Sequence, residues 1–286
     1  MRKFVALIAL FAAFAAEADV PFRLGIAGYT FQKKTLDETL AIMKKADVHY
    51  LCVKDFHLPL TATDADISAF RDKCAAADVT PYAIGPIYVK DAAKLRQCFE
   101  FARRLGVRTV VGVPYEPVGG KDTWATRRGS RKLLLEADRL VKEFDIRYAI
   151  HNHGPSAPEM FPDVEYGWNL VKDLDGRIGF CIDVEWEAAC GRNPAETIRK
   201  YSARIFDAHI RTSAPDKPFG AAVPLPRGKI DLAEVFRAFV ESGYTGVCSL
   251  EYTKDFTDNF APVCECIGYE RGLCDALSKF CGPVKR

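Results

Sequence analysis

The chain has 286 residues, 49% hydrophobic and 27% charged, enough to bury one large core. Lys+Arg 40 against Asp+Glu 38 leaves a formal net charge of +2, which excludes the strongly basic surface of a nucleic-acid or membrane-surface binder.

The N-terminus reads as a secretory signal peptide over residues 1–18. Met1-Arg2-Lys3 is a short basic region, Phe4 to Ala16 is almost unbroken apolar sequence, and Ala16-Glu17-Ala18 offers small residues at cleavage-site spacing. A membrane anchor is the alternative, but about 13 apolar residues fall short of the ~20 that a span needs. Cleavage predicts one domain over residues 19–286, located in the periplasm of a bacterial host, with no membrane contact afterwards. Ten cysteines in an exported chain raise the question of disulfides. Cys52, Cys181 and Cys248 lie in predicted strands and Cys74 and Cys98 on apolar helix faces, so they read as buried thiols. Cys264, Cys266, Cys274 and Cys281 are the only bridge candidates.

Strand-type runs then alternate with helical ones. The first strand is Arg23–Tyr29, and Thr35 with Glu38 predicts a capping box opening a helix to about Ala46. The second strand is Val48–Asp55, and Ile67, Phe70 and Cys74 mark one buried helix face. The third, Tyr82–Tyr88, precedes a helix with Leu95, Cys98, Phe99 and Ala102 on one side. The fourth, Val107–Val113, leads through a Gly-rich loop at Pro117–Gly120 to a helix carrying Leu133, Leu134, Ala137 and Val141. The fifth, Arg147 to His151, runs out through Asn152-His153-Gly154-Pro155, and a short helix follows over Tyr166–Lys172. Strands six, seven and eight are Arg177–Asp183, Arg204–Ile210 and Tyr244–Glu251, and an amphipathic stretch over Ile267–Phe280 closes the chain. Eight apolar strands alternating with about eight helices predict an α/β fold, a single (β/α)8 TIM barrel. A doubly wound open sheet is the alternative, but no G-x-G-x-x-G follows a strand.

In such barrels the active site lies at the C-terminal ends of the strands. Lys54, Asp55 and His57, His151 and His153, Asp183 and Glu185, His209 and Arg211, and Glu251 and Lys254 all fall there. Four of five histidines occupy these ends; His49 reads as structural. Mixed imidazole and carboxylate ligands suit Mn2+, Zn2+, Co2+ or Fe2+, and Mg2+ less well. The competing reading makes Asp183 and Glu251 salt-bridge partners of Arg211 and Lys254 at the barrel rim.

The chain resembles the xylose-isomerase-like barrel superfamily, in particular its exported sugar phosphate isomerase/epimerase-like proteins. The resemblance covers residues 23 to 278 and rests on six stretches: Val48–Pro59, Tyr148–Pro155, Ile178–Asp183, Phe206–Ile210, Arg227–Asp231 and Cys248–Tyr252. It implies a divalent metal held by a strand-five Glu, a strand-six Asp, a strand-seven His and a strand-eight Glu. Asp183, His209 and Glu251 match three of these; the fourth position holds His151, with His153 beyond it. Two further departures concern the residues after the ligands. Where many relatives read Asp-x-Gly-His-Thr, this chain has Asp183-Val-Glu-Trp186, and His-Ile-Lys-Asp becomes His209-Ile-Arg-Thr212.

The resemblance implies a metal-dependent enzyme that acts on a sugar or keto-sugar by proton abstraction next to a carbonyl. The outcome is isomerisation, epimerisation, or elimination from a 3-keto-glycoside. Glu251 or His151 would move the proton, with Lys54 and Arg211 steadying oxygen charge. His57, His153, Glu185 and Trp186, with Arg227 and Lys229 on a Gly-containing loop, form the expected substrate-binding set for a small carbohydrate. Trp186 either stacks on a neutral sugar or packs under the next helix; Arg227 and Lys229 favour a phosphate instead. The alternative function is a carbohydrate-binding barrel without turnover.

Overall fold

A computed structural model describes residues 20–280. The expected signal peptide and Cys281 lie outside them. Eight parallel strands close into one barrel. These are β1 (Arg23–Ala27), β2 (Tyr50–Val53), β3 (Thr80–Val89), β4 (Thr109–Pro117), β6 (Arg147–His151), β7 (Ile178–Asp183), β8 (Ile205–Ile210) and β9 (Val247–Leu250). Each pairs in parallel with its neighbour; β9 returns to β1, and β3 to β4. A short ninth strand, β5 (Arg127–Gly129), runs antiparallel to the end of β4. Parallel neighbours require long crossovers, and helices supply most of them. These are α1 (Leu36–Ala46), α2 (Asp64–Ala76), α3 (Ala92–Leu105), α4 (Arg131–Phe144), α5 (Val164–Val171), α6 (Val184–Ala189), α7 (Pro194–Tyr201), α8 (Leu232–Glu241) and α9 (Phe260–Phe280).

Local chemistry sets the helix starts. Thr35 and Glu38 form the expected capping box at α1, and Thr63 with Asp66 repeats it at α2. Each cap satisfies backbone N–H groups that the helix leaves open, stabilising by about 1 kcal/mol. The predicted apolar faces are buried: Ile67, Phe70 and Cys74 on α2, Leu95, Cys98, Phe99 and Ala102 on α3, Leu133, Leu134, Ala137 and Val141 on α4. They cover the outward side of the strands, where Ile150, Phe180, Ile182, Ile210 and Leu250 belong to the same core. The nine described cysteines are free thiols, Cys264, Cys266 and Cys274 among them.

The Gly-rich loop after the fourth strand is more ordered than its composition predicts. β4 runs on to Pro117, and Val118 bridges Lys121 across Gly119 and Gly120. Both glycines have positive φ, 67° and 73°, as a two-residue hairpin turn requires. The hairpin lifts Trp124 to the rim of the barrel.

Side chains alternate along each strand, and the inward set builds the site. Cys52, Ala83, Val111, Ala149 and Cys181 form a small cluster distinct from the main core. Two residues further along β6 and β7 the same face reaches His151 and Asp183. On β8 the corresponding step runs from Asp207 to His209, and from Ser249 on β9 it reaches Glu251, one residue past the strand's end. A buried floor thus lies beneath a layer of potential ligands. No described helix is long and apolar enough to cross a membrane.

Candidate metal centre

His151, Asp183, His209 and Glu251 each direct a ligand atom to one place. The four atoms lie within 4.8 Å of one another, and all four residues are buried. His151 Nε2 is 2.9 Å from His209 Nδ1 and 3.8 Å from Asp183 Oδ2, while His209 Nδ1 is 3.5 Å from Glu251 Oε2. Four ligands around one ion at about 2.1 Å would sit roughly 3.4 Å apart, so these separations fit a shared cation.

Asp183 shows how the backbone presents a ligand. It caps α6, its Oδ1 accepting from the backbone N–H of Glu185 at 3.0 Å and of Trp186 at 3.1 Å. Oδ2 is left buried without a hydrogen-bond partner among the described residues. A buried carboxylate oxygen in that condition is costly unless a cation or proton reaches it. The donor set is therefore one that a divalent metal would complete. Burial pushes the Asp183 carboxyl up to about 8; Arg211 opposes the rise, and Glu251 and Glu185 add to it. Burial also disfavours the charged form of Glu251, but His209 and Arg211 outweigh it and hold that carboxyl below its ordinary range.

Arg211 stands beside the ligands. Its Nε donates to Glu185 at 2.6 Å, and Nη1 lies 3.3 Å from Glu251 and 3.7 Å from Asp183. Glu185, fully buried, also accepts from the Ser213 hydroxyl and, at 2.7 Å, from the Gly220 N–H. The arginine contacts of the competing salt-bridge reading are thus present, whereas Lys254 is exposed. The guanidinium lies 4.9 Å over the half-buried Trp186 ring, whose edge packs towards Gly154. One face available for a sugar is therefore occupied by a protein cation.

His153 takes a different direction from His151. β6 ends at His151, and the His153 ring turns to the aromatic side of the mouth. Its Nδ1–H donates to the His151 carbonyl at 3.0 Å, which leaves Nε2 to accept from the Tyr88 hydroxyl at 2.5 Å. Burial lowers its pKa to about 4. Trp124 stands 5.7 Å from this ring and 5.5 Å from Tyr88, both centroid to centroid.

The other expected residues are spread wider. Lys54 Nζ donates to the Pro86 carbonyl at 2.6 Å. His57 bonds the Thr39 hydroxyl at 3.1 Å, and burial lowers its pKa to about 4. Arg227 is exposed and forks onto Glu265 at 2.7 Å through both nitrogens. Lys229 donates to the Lys217 carbonyl at 2.6 Å. Neither of these last two reaches the four-ligand cluster. His49, between Asp47 and Asp78, is surface structure.

Sequence reasoning missed four residues here. Asn152 spans β6 and β7, accepting from Asp183 N at 2.7 Å and donating to Asp183 O at 3.2 Å. Asp207 lies under His209, and Tyr88 and Trp124 line the mouth. A signal existed for Asp207, two residues before His209 on β8; the register shift between Ile84 and Ile87 breaks the period of two before Tyr88. Trp124 had none, because the hairpin that raises it was read as a loop.

The xylose isomerase-like TIM barrel profile matches residues 40–262. No curated protein sequence matches the chain. Among solved structures, the IolI protein with a bound zinc atom superposes with a TM-score of 0.70 at 20% identity, over 91% of this chain and 99% of that one. An L-ribulose 3-epimerase gives 0.71 at 17% identity, over 90% and 96%. The probable 3-DHS dehydratase AsbF of Bacillus anthracis gives 0.67 at 9%, over 87% and 98%. At these identities the likeness is one of fold.

Proposed function

This chain belongs to the xylose isomerase-like TIM barrel family, and from that premise we propose a divalent-metal-dependent enzyme that abstracts a proton next to the carbonyl of a sugar or keto-sugar. The convergence of His151, Asp183, His209 and Glu251, with Asp183 Oδ2 left without a hydrogen-bond partner among the described residues, carries the proposal. Zn2+, Mn2+ or Co2+ suits two imidazoles and two carboxylates; Mg2+ suits them less. When bound, such an ion acts as a Lewis acid towards a carbonyl oxygen.

The chain's own residues supply the rest. Glu251, 3.3 Å from the Arg211 guanidinium, is the proton acceptor at the carbon beside the carbonyl. Arg211, fixed by Glu185, keeps positive charge beside the oxygen that becomes negative as the proton leaves. His151, whose pKa burial pushes well below the ordinary value, stays neutral and can donate its lone pair. Tyr88 and Trp124 offer aromatic surface to the substrate's apolar face. Epimerisation, isomerisation and elimination share the first step, and the related folds include an epimerase and a probable dehydratase.

Arg211 also favours a second reading. Its contacts with Asp183 and Glu251 would serve a carbohydrate-binding barrel without turnover just as well. One experiment separates the two: metal content of the purified chain, followed by incubation of the loaded protein with neutral keto-sugars, 3-keto-glycosides and sugar phosphates. Exchange of the carbon-bound proton with D2O supports the enzyme; binding without exchange supports the alternative. Residues 1–18 support export as part of the same proposal, and an intact Met1 in native cytoplasm would refute it.

A further inference from the structure

We propose that Asp207 is a positioning residue for His209, holding the imidazole from beneath so that Nδ1 faces the metal. The inference rests on the metal reading and adds to it a residue that touches neither metal nor substrate.

His209 presents its two nitrogens to two different layers. Nδ1 faces the ligand atoms of His151 and Glu251. Nε2 points into the floor, buried and without a hydrogen-bond partner among the described residues. Its nearest carboxylate oxygen is Asp207 Oδ2, at 3.9 Å. A neutral imidazole that gives its Nδ1 lone pair to a cation must carry its proton on Nε2. That N–H is sealed from water and needs an acceptor. Closing by roughly 1 Å makes Asp207 the acceptor.

Asp207 is itself held for this task. It is fully buried, two residues before His209 on the same inward face of β8. Oδ1 accepts from the Tyr82 hydroxyl and from the Ala208 N–H, both at 2.9 Å. Tyr82 is in turn 2.5 Å from the Ser249 hydroxyl on β9. Oδ2 receives only the Cys181 thiol at 3.6 Å, a weak donor, so it remains available. Among the described residues His209 is the one basic group within 4.0 Å of this carboxylate. Three strands therefore fix one oxygen and aim the other at Nε2. Carboxylates so placed orient ligating histidines and raise their basicity, and losing one weakens metal binding 10–100-fold.

The test uses the chain loaded with Zn2+. Asp207→Asn keeps the shape and removes the charge, and its Zn2+ affinity, measured by chelator competition, should fall 10–100-fold. In 15N-histidine spectra the loaded wild type should show a slowly exchanging His209 Nε2–H at low field, displaced in Asp207→Asn. A merely structural Asp207 would lower thermal stability and leave both readouts unmoved. Unchanged affinity in the folded variant overturns the inference, as does a His209 proton found on Nδ1. If Asp207→Asn fails to fold, the chemical shift of the wild-type Nε2–H decides: a low-field, hydrogen-bonded proton supports the inference, and one at the shift of an imidazole N–H without an acceptor overturns it. Wild-type protein that binds no divalent metal overturns the metal reading along with this one; normal wild-type binding with an indifferent Asp207→Asn sinks only this one.

Discussion

Arg211 Nε donates to Glu185 Oε2 at 2.6 Å, and the two side chains are both buried. The pair fixes a cation beside Asp183 and Glu251, so three carboxylates share one guanidinium. Removing one member of a buried pair costs more than the pair contributes, because the other is left uncompensated. Arg211→Met should therefore destabilise the chain by about 3–5 kcal/mol, read as a lower urea midpoint with an unchanged slope.

Metal binding should appear as stability. Zn2+ or Mn2+ at 100 times its dissociation constant should add about 2.7 kcal/mol, reversed by EDTA. Asp183→Asn retains a side-chain oxygen for the α6 cap but loses the charge at Oδ2, and it should show no such gain. Differential scanning fluorimetry with and without the ion checks both; a full gain in the variant would exclude Asp183 as a ligand.

Gly154 has φ +72°, and a Cβ there would come within 2.6 Å of the Trp186 ring. Gly120 has φ +73° with open space around it. Gly120→Ala should cost about 1 kcal/mol from backbone strain alone. Gly154→Ala should cost about 1 kcal/mol more and also disturb the His153 ring. Chemical denaturation of the two variants side by side gives the comparison.

Burial lowers the His57 pKa from 6.5 to about 4. A histidine that binds its proton less tightly when folded supports stability fully above its unfolded pKa. That support falls as the pH drops from about 6.5 towards 4, by roughly 2–3 kcal/mol. His151 and His153 shift in the same direction, so wild-type stability should decline on acidification. In His57→Gln the difference between pH 7.5 and pH 4.5 should shrink by roughly 2 kcal/mol.

Trp124 is 46% exposed at the rim. If its ring forms part of the carbohydrate surface, Trp124→Ala should weaken binding by about 1 kcal/mol, roughly fivefold, without changing metal affinity. Isothermal titration with a neutral glycoside measures it, and unchanged affinity removes Trp124 from the site.

The barrel and the convergence of four candidate ligands were legible because both depend on simple periods. Alternation along Arg147–His151 and Ile178–Asp183 placed His151 and Asp183 on one inward face, and helices between the strands required parallel closure. What the sequence hid depended on where chains end and turn. His153 follows His151 by the two residues that would put both on one strand face, but β6 ends at His151 and alternation no longer applies beyond it. Trp186 lies in the first turn of α6, just past the strand that ends at Asp183, and its contact with the Arg211 guanidinium comes from a strand further along the chain. Arg227 and Lys229 looked like a phosphate pair until their partners, Glu265 and the Lys217 carbonyl, came from distant parts of the chain. Local patterns carry no trace of such long-range partners.

Asn152 gives this barrel a mechanical separation. Its side-chain amide meets both the N–H and the carbonyl of Asp183, as a further residue of strand would. The ladder between the two ligand-bearing strands is thereby prolonged by a side chain after the backbone has departed. Beyond Gly154, which Trp186 holds to a glycine, the loop can then change length or composition while His151 and Asp183 keep their spacing. The rim and the four candidate ligands then become independently variable, so substitutions at the mouth need not disturb the spacing of His151 and Asp183.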